Sequence, residues 1–100
     1  MDFVKKVKKI AKKHKLKMHL DGARLLNALI YSKDDPKEYC SYFDTVNFCF
    51  SKGMGCPIGS LLLASEEDIK LGKVMRKMLG GTMRQSGILA ACMLTSMEDW

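Results

Sequence analysis

Asp21 and Lys52 are the two residues of this chain best suited to act together. Asp21 lies in MHLDGARLLNA (residues 18–28), with an arginine three positions on at Arg24. Lys52 lies in NFCFSKGMGCPIGS (residues 47–60), between Ser51 and Gly53 and directly after an apolar, aromatic run. A lysine at the end of a buried strand is costly as a cation, and serves better as a neutral amine or as an imine with a carbonyl compound. A carboxylate held nearby is the natural companion of a protonated ring nitrogen, because it favours the charged form. The pair therefore suits one aromatic carbonyl compound, gripped by an amine at one end and an acid at the other.

Positioning such a pair requires a sheet. Residues 2–14 are expected to form an amphipathic helix, with Phe3, Val4, Val7, Ile10 and Ala11 along one face. Leu16 to Leu20 reads as a short strand with His19 and Asp21 on the same alternating face. Residues 22–31 read as a second helix striped by Leu25, Leu26, Leu29 and Ile30. Pro36 should open a short helical turn after the loop SKDDPKE. Thr45 to Phe50 is a β-branched and aromatic strand. GMGCPIG is a turn, after which Ser60 to Ala64 forms a second apolar strand, antiparallel because the connection is too short for a parallel crossover. Leu61-Leu62-Leu63-Ala64 suits burial. Ser65 followed by three acids starts a helix that ends at Gly80-Gly81, and a final helix runs from about Met83 to Glu98. The expected class is α/β: a three-strand slice of a mixed sheet with flanking helices. Three strands cannot cover both faces of a doubly wound sheet, so the chain reads as a middle slice of a larger domain.

Composition narrows the function. The 100 residues are 47% hydrophobic and 28% charged, which suits a globular chain rather than a disordered one. No stretch approaches the ~20 apolar residues of a membrane span, so no membrane partner is expected. The net charge of +6 suggests a nucleic-acid partner at first sight, but eight of the 17 basic residues are lysines between Lys5 and Lys17 with no arginine among them. That pattern fits the solvated face of the first helix, and no second basic patch builds a groove. Cys40, Cys49, Cys56 and Cys92 contain no CxxC pair, and His14 and His19 complete no zinc-like spacing, so no metal is expected. Free thiols in a reducing cytoplasm are the simpler reading.

Three segments in register, HLDGAR (19–24), SKGMGCPIGS (51–60) and RKMLGGTMRQSGILAA (76–91), resemble the threonine aldolases. These are pyridoxal 5'-phosphate lyases grouped with the aromatic amino acid β-eliminating lyases. Nearly the whole chain is covered, although Thr82 stands where the family usually has a third glycine. The resemblance implies the fold type I large domain of pyridoxal phosphate enzymes. It implies that Lys52 binds the cofactor aldehyde as an imine, that Asp21 pairs with the pyridine nitrogen, and that Arg24 lies near the phenolic oxygen and the substrate carboxylate. Ser51, His19, Lys77 and Arg84 would line the site. Each has a plainer alternative: Lys52 as a turn lysine, Asp21 as a helix cap, Arg24 as half of a surface ion pair, and Lys77 and Arg84 as solvated helix charges.

The implied reaction cleaves threonine or allo-threonine to glycine and acetaldehyde, with a small amino acid as the partner molecule and a homo-oligomer, dimer or tetramer, as the assembly. No residue here offers an evident base for the substrate hydroxyl; His19 suits support of Asp21 better. By the same resemblance, the chain is expected to start after the phosphate-binding segment and to stop before the C-terminal small domain. Two other readings stay open: a catalytically inactive truncated piece, and a lysine-rich module that binds polyanions.

Overall fold

The computed structural model describes residues 1–98. Helix α1 (Asp2–Lys13) turns Val4, Val7 and Ala11 inward, and Ala11 is buried. It closes with Lys15 at a φ of 55°, which lets the Leu16 N–H reach back to the Ala11 carbonyl at 2.9 Å. Because Leu16 still belongs to that helix end, strand β1 covers His19–Gly22 rather than the expected Leu16 to Leu20. The lead-in to the sheet is Met18: its N–H donates to Asp44 Oδ2 at 2.7 Å, and its carbonyl accepts from the Asp44 N–H at 2.8 Å.

Helix α2 spans Leu25–Ser32, three residues later than the sequence suggests at its start, since Gly22 still belongs to β1. Its left-handed end falls on Lys33. Helix α3 (Pro36–Cys40) opens on Pro36 as expected, and Asp35 caps it by accepting from the Glu38 N–H at 2.6 Å. Strand β2 (Thr45–Cys49) lies between β1 and β3 (Ser60–Ala64). β1 runs parallel to β2, from His19 beside Thr45 to Gly22 beside Phe48. β3 returns antiparallel, from Ser60 beside Cys49 to Ala64 beside Thr45.

Ser65 caps α4 (Glu66–Met78) by accepting from the Asp68 N–H at 3.2 Å, and the helix runs out at Gly80, whose φ is 73°. Helix α5 spans Gly87–Glu98, starting later than the expected Met83 because Gln85 takes a left-handed φ of 47° that no continuing helix tolerates.

The core lies on one face of the sheet. Leu25 and Leu29 of α2 pack on Val46, with Leu20, Tyr39, Cys40 and Phe43 around them. The expected α/β slice with a mixed sheet is therefore present. Burial of the leucine run is not: Leu61, Leu62 and Leu63 keep 42%, 43% and 47% of their surface exposed, because β3 is an edge strand. The molecule is a slab of 43 × 34 × 17 Å with a radius of gyration of 15.1 Å. A compact chain of this length would have about 13 Å.

Candidate active site

A parallel pair of strands sends both chains out at the same edge. β1 leaves the sheet one residue after Asp21, and β2 leaves it three residues before Lys52. Asp21 and Lys52 therefore lie at the carboxyl edge of the pair, where open α/β sheets take their ligands. Asp21 lies beside Asn47 in the register, and it is exposed. The helix-cap alternative for Asp21 fails, since among the described residues Oδ1 accepts only from the Ala23 N–H, at 3.3 Å, and the capping position of α2 belongs to Arg24. Its other oxygen takes part in no hydrogen bond among the described residues.

Lys52 is exposed rather than buried, which corrects the expectation of a costly buried amine. Its carbonyl accepts from the Gly55 N–H at 3.0 Å, so the residue sits at the head of a tight turn. The turn is fixed underneath. The Cys56 N–H bonds to the Phe50 carbonyl at 3.1 Å, and the Phe50 N–H bonds to Gly59 at 2.9 Å. Phe50, 1% exposed, anchors the end of β2. No hydrogen bond or ion pair joins Asp21 to Lys52 among the described residues.

Arg24 comes close to this turn. Residues Ala23 to Asn27 and Phe48, Cys49, Gly53 and Met54 line one narrow crevice. Gly53 lies against the Asn27 side chain, so the turn rests on α2 and an added Cβ would have to push the Asn27 amide aside. His19 shares the Asp21 face, and its Nδ1 lies 2.7 Å from Thr45 Oγ1 across the strand pair. Ser51 is exposed beside Lys52. Lys77 in the last turn of α4, and Arg84 in the link to α5, are exposed, and neither bonds to Asp21 or Lys52 among the described residues.

A wider cleft, about 410 Å³, lies between β3 and α4, lined by Asn47, Leu62, Ile69, Lys73 and Arg76 among others. Gly72 of α4 lies over Leu62 there, and the Lys52 turn does not line the cleft.

Electrostatics act mainly away from this edge. The Met18 N–H, helped by the Lys8 ammonium at 3.3 Å, holds the Asp44 carboxyl below its usual range. Lys17, 2.9 Å from Asp68, and the Ser65 hydroxyl do the same for Asp68. Lys5 pairs with Glu38 at 3.3 Å. Three of the N-terminal lysines, Lys5 and Lys8 of α1 and Lys17 after it, thus form ion pairs with the rest of the chain. Burial pushes the Cys40 thiol up. All four cysteines are free, and no cluster of metal-binding side chains occurs among the described residues. No helix among them is long and apolar enough to cross a membrane.

The sequence reading missed Thr45, Asn27 and Ser96. Setting the two strands in parallel would have placed Thr45 beside His19. Ser96, whose hydroxyl donates to the Met54 carbonyl at 2.7 Å, gave no local signal.

The chain is 46% identical over 98 residues to a Schizosaccharomyces pombe protein assigned as a low-specificity L-threonine aldolase, covering 98% of this chain and 26% of that one. It is 40% identical over 98 residues to the low specificity L-threonine aldolase of Escherichia coli, covering 98% and 29%. A solved Listeria monocytogenes structure, assigned as an L-allo-threonine aldolase, superposes with a TM-score of 0.90 at 24% identity, over 96% of this chain and 27% of that one, and so shares its fold. The chain spans about a quarter of the length of the curated relatives it matches. The profile described as Beta-eliminating lyase matches residues 1–100, and with the fold and the sheet edge described above, this places the chain in the beta-eliminating lyase family.

Proposed function

We propose that this chain is the central part of the cofactor-binding large domain of a pyridoxal 5'-phosphate-dependent lyase of the threonine aldolase type. Its substrate would be a small β-hydroxy amino acid, threonine or allo-threonine, and its products glycine and acetaldehyde. One observation carries the reading: an exposed lysine and an exposed aspartate leave the sheet at the same carboxyl edge of its parallel pair.

The donor set fits the cofactor. When bound, pyridoxal phosphate supplies an electron sink for the pair released as the bond between Cα and Cβ breaks. Lys52 is the amine that tethers the cofactor carbonyl carbon, and its turn is already set by three main-chain hydrogen bonds. Asp21 uses one carboxylate oxygen on Ala23, leaving the other to hold a ring N–H in its charged form. Arg24, in the crevice shared with the turn, offers its guanidinium to the cofactor's phenolic oxygen and the substrate carboxylate. His19, tied to Thr45, supports the Asp21 face, with Ser51, Lys77 and Arg84 as further lining residues. The four free cysteines suit the cytoplasm, and a homo-oligomer suits the relatives' family.

A second reading, cofactor binding without turnover, draws on the exposure of both key residues. Charges open to water act weakly on a reacting centre, where an enclosed site would strengthen them.

Adding pyridoxal phosphate to the purified chain, reducing with borohydride and mapping the modified peptide tests the tether. One modification is expected, on Lys52, and it should vanish in Lys52→Ala. Modification scattered over Lys5 to Lys17, with Lys52 untouched, would overturn the assignment. Assaying acetaldehyde from threonine then separates catalysis from binding alone.

A further inference from the structure

We propose that Ser96 is a positioning residue for Lys52, acting through a clasp in which α5 grips the turn that carries the lysine. This rests on the tether role proposed for Lys52 but concerns residues outside that site. The ten residues from Phe50 to Gly59 join two antiparallel strands that a turn of two would suffice to connect. A loop of that length keeps one shape only if something holds it.

Beyond the loop's own main-chain hydrogen bonds, two contacts to α5 do so. The Ser96 hydroxyl donates to the Met54 carbonyl at 2.7 Å, partly buried and 42 positions apart in sequence. The buried Cys56 thiol lies between two main-chain acceptors, the Met54 carbonyl at 3.8 Å and the Cys92 carbonyl of α5 at 3.7 Å. Cys92 and Ser96 are one helical turn apart, on one side of α5. Met93 beside them packs on Gly59, whose φ of 124° and lack of a Cβ admit its side chain. The turn also rests on Asn27 of α2 through Gly53. Lys52 thus heads a loop pinned between two helices, while its own side chain stays free in solvent. The Met54 carbonyl is the shared point, two residues from Lys52. Losing its strongest partner frees the Lys52–Gly55 turn to sample other shapes.

The test uses the whole chain as Ser96→Ala, Ser96→Thr and Ser96→Cys. Amide hydrogen exchange over residues 51–56, measured without cofactor, is expected to rise roughly 2- to 10-fold in Ser96→Ala, the change one hydrogen bond carries. Ser96→Thr should restore the wild-type rate and Ser96→Cys, a weaker donor of like size, should fall between, which keeps the series readable should Ser96→Ala not fold. Labelling of Lys52 by pyridoxal phosphate and borohydride should weaken in the same order. Faster exchange confined to α5, with residues 51–56 unchanged, would overturn the clasp, since Ser96 would then serve only its own helix. Faster exchange at 51–56 in a chain whose wild type never labels Lys52 would support the clasp and overturn the tether role instead.

Discussion

Asp21 presents its carboxylate one residue before β1 ends at Gly22, a position where the neighbouring strand leaves no room for a Cβ. A Cβ at Gly22 would lie 2.5 Å from the Asn47 carbonyl oxygen and 3.2 Å from Leu25 Cβ. The first of these is a main-chain atom of the neighbouring strand, and it cannot move aside without breaking the ladder between β1 and β2. Gly22→Ala is therefore expected to cost about 2–3 kcal/mol, as forced overpacking does. Because the clash falls next to Asp21, the strain also moves the carboxylate. Urea unfolding measures the loss, and a variant as stable as wild type would refute the close approach. Arg24 and His19 are also located by their neighbours: Arg24 by the start of α2, and His19 by the Thr45 hydroxyl across the ladder.

Among the elements, the junction of α1 with the sheet depends on Asp44. This residue accepts from the Met18 N–H and meets Lys8, and so ties the entry of β1 to the entry of β2. Its carboxyl is held below the ordinary value, chiefly by the Met18 N–H, so the folded state favours the ionised form. The sign follows: the contribution is complete above the unfolded value near ~4 and is lost as pH falls through the lower folded value. Asp44→Asn should cost about 1 kcal/mol at neutral pH and flatten the acid limb of a melting-temperature profile below about pH 4. A variant with an unchanged acid limb would refute this linkage.

The order of the elements could be read from hydrophobic period and turn residues, and so could the antiparallel return of β3, because the Phe50–Gly59 link is too short for a crossover. The boundaries shifted wherever one backbone group served two elements in succession. Leu16 closes α1 before β1 can begin, and Gln85 halts the chain before α5. The candidates Lys52 and Asp21 stand out in the sequence because a charged residue beside an apolar strand is locally conspicuous. The contacts of Thr45, Asn27 and Ser96 depend on parallel register or on neighbours distant in sequence, which no local pattern encodes.

Across the whole molecule, surface is the dominant quantity. The chain exposes 7917 Å², whereas a compact protein of 11.3 kDa would expose about 5,700 Å². The difference is of the order that stable protein interfaces bury. Part of it is the outer edge of β3, five residues without a charge or a proline to discourage pairing with another strand. The isolated chain should therefore show an apparent mass that rises with concentration in light scattering. Leu63→Lys, at a position 47% exposed and outside the cleft beneath α4, should shift it toward the monomer. A concentration-independent monomeric mass for the unaltered chain would rule out association through this edge.

The grip on the Lys52 loop ends on the carbonyl oxygens of Met54 and Cys92, which every amino acid carries. Side chains at Ser51, Met54 and Ile58 are thereby free to be exchanged while the fastening stays intact, provided Gly53, Cys56 and Gly59 are kept. Those three positions of the Lys52 loop can thus be varied without touching the bonds that hold it, which makes them the natural ones to randomise in a search for altered ligand preference.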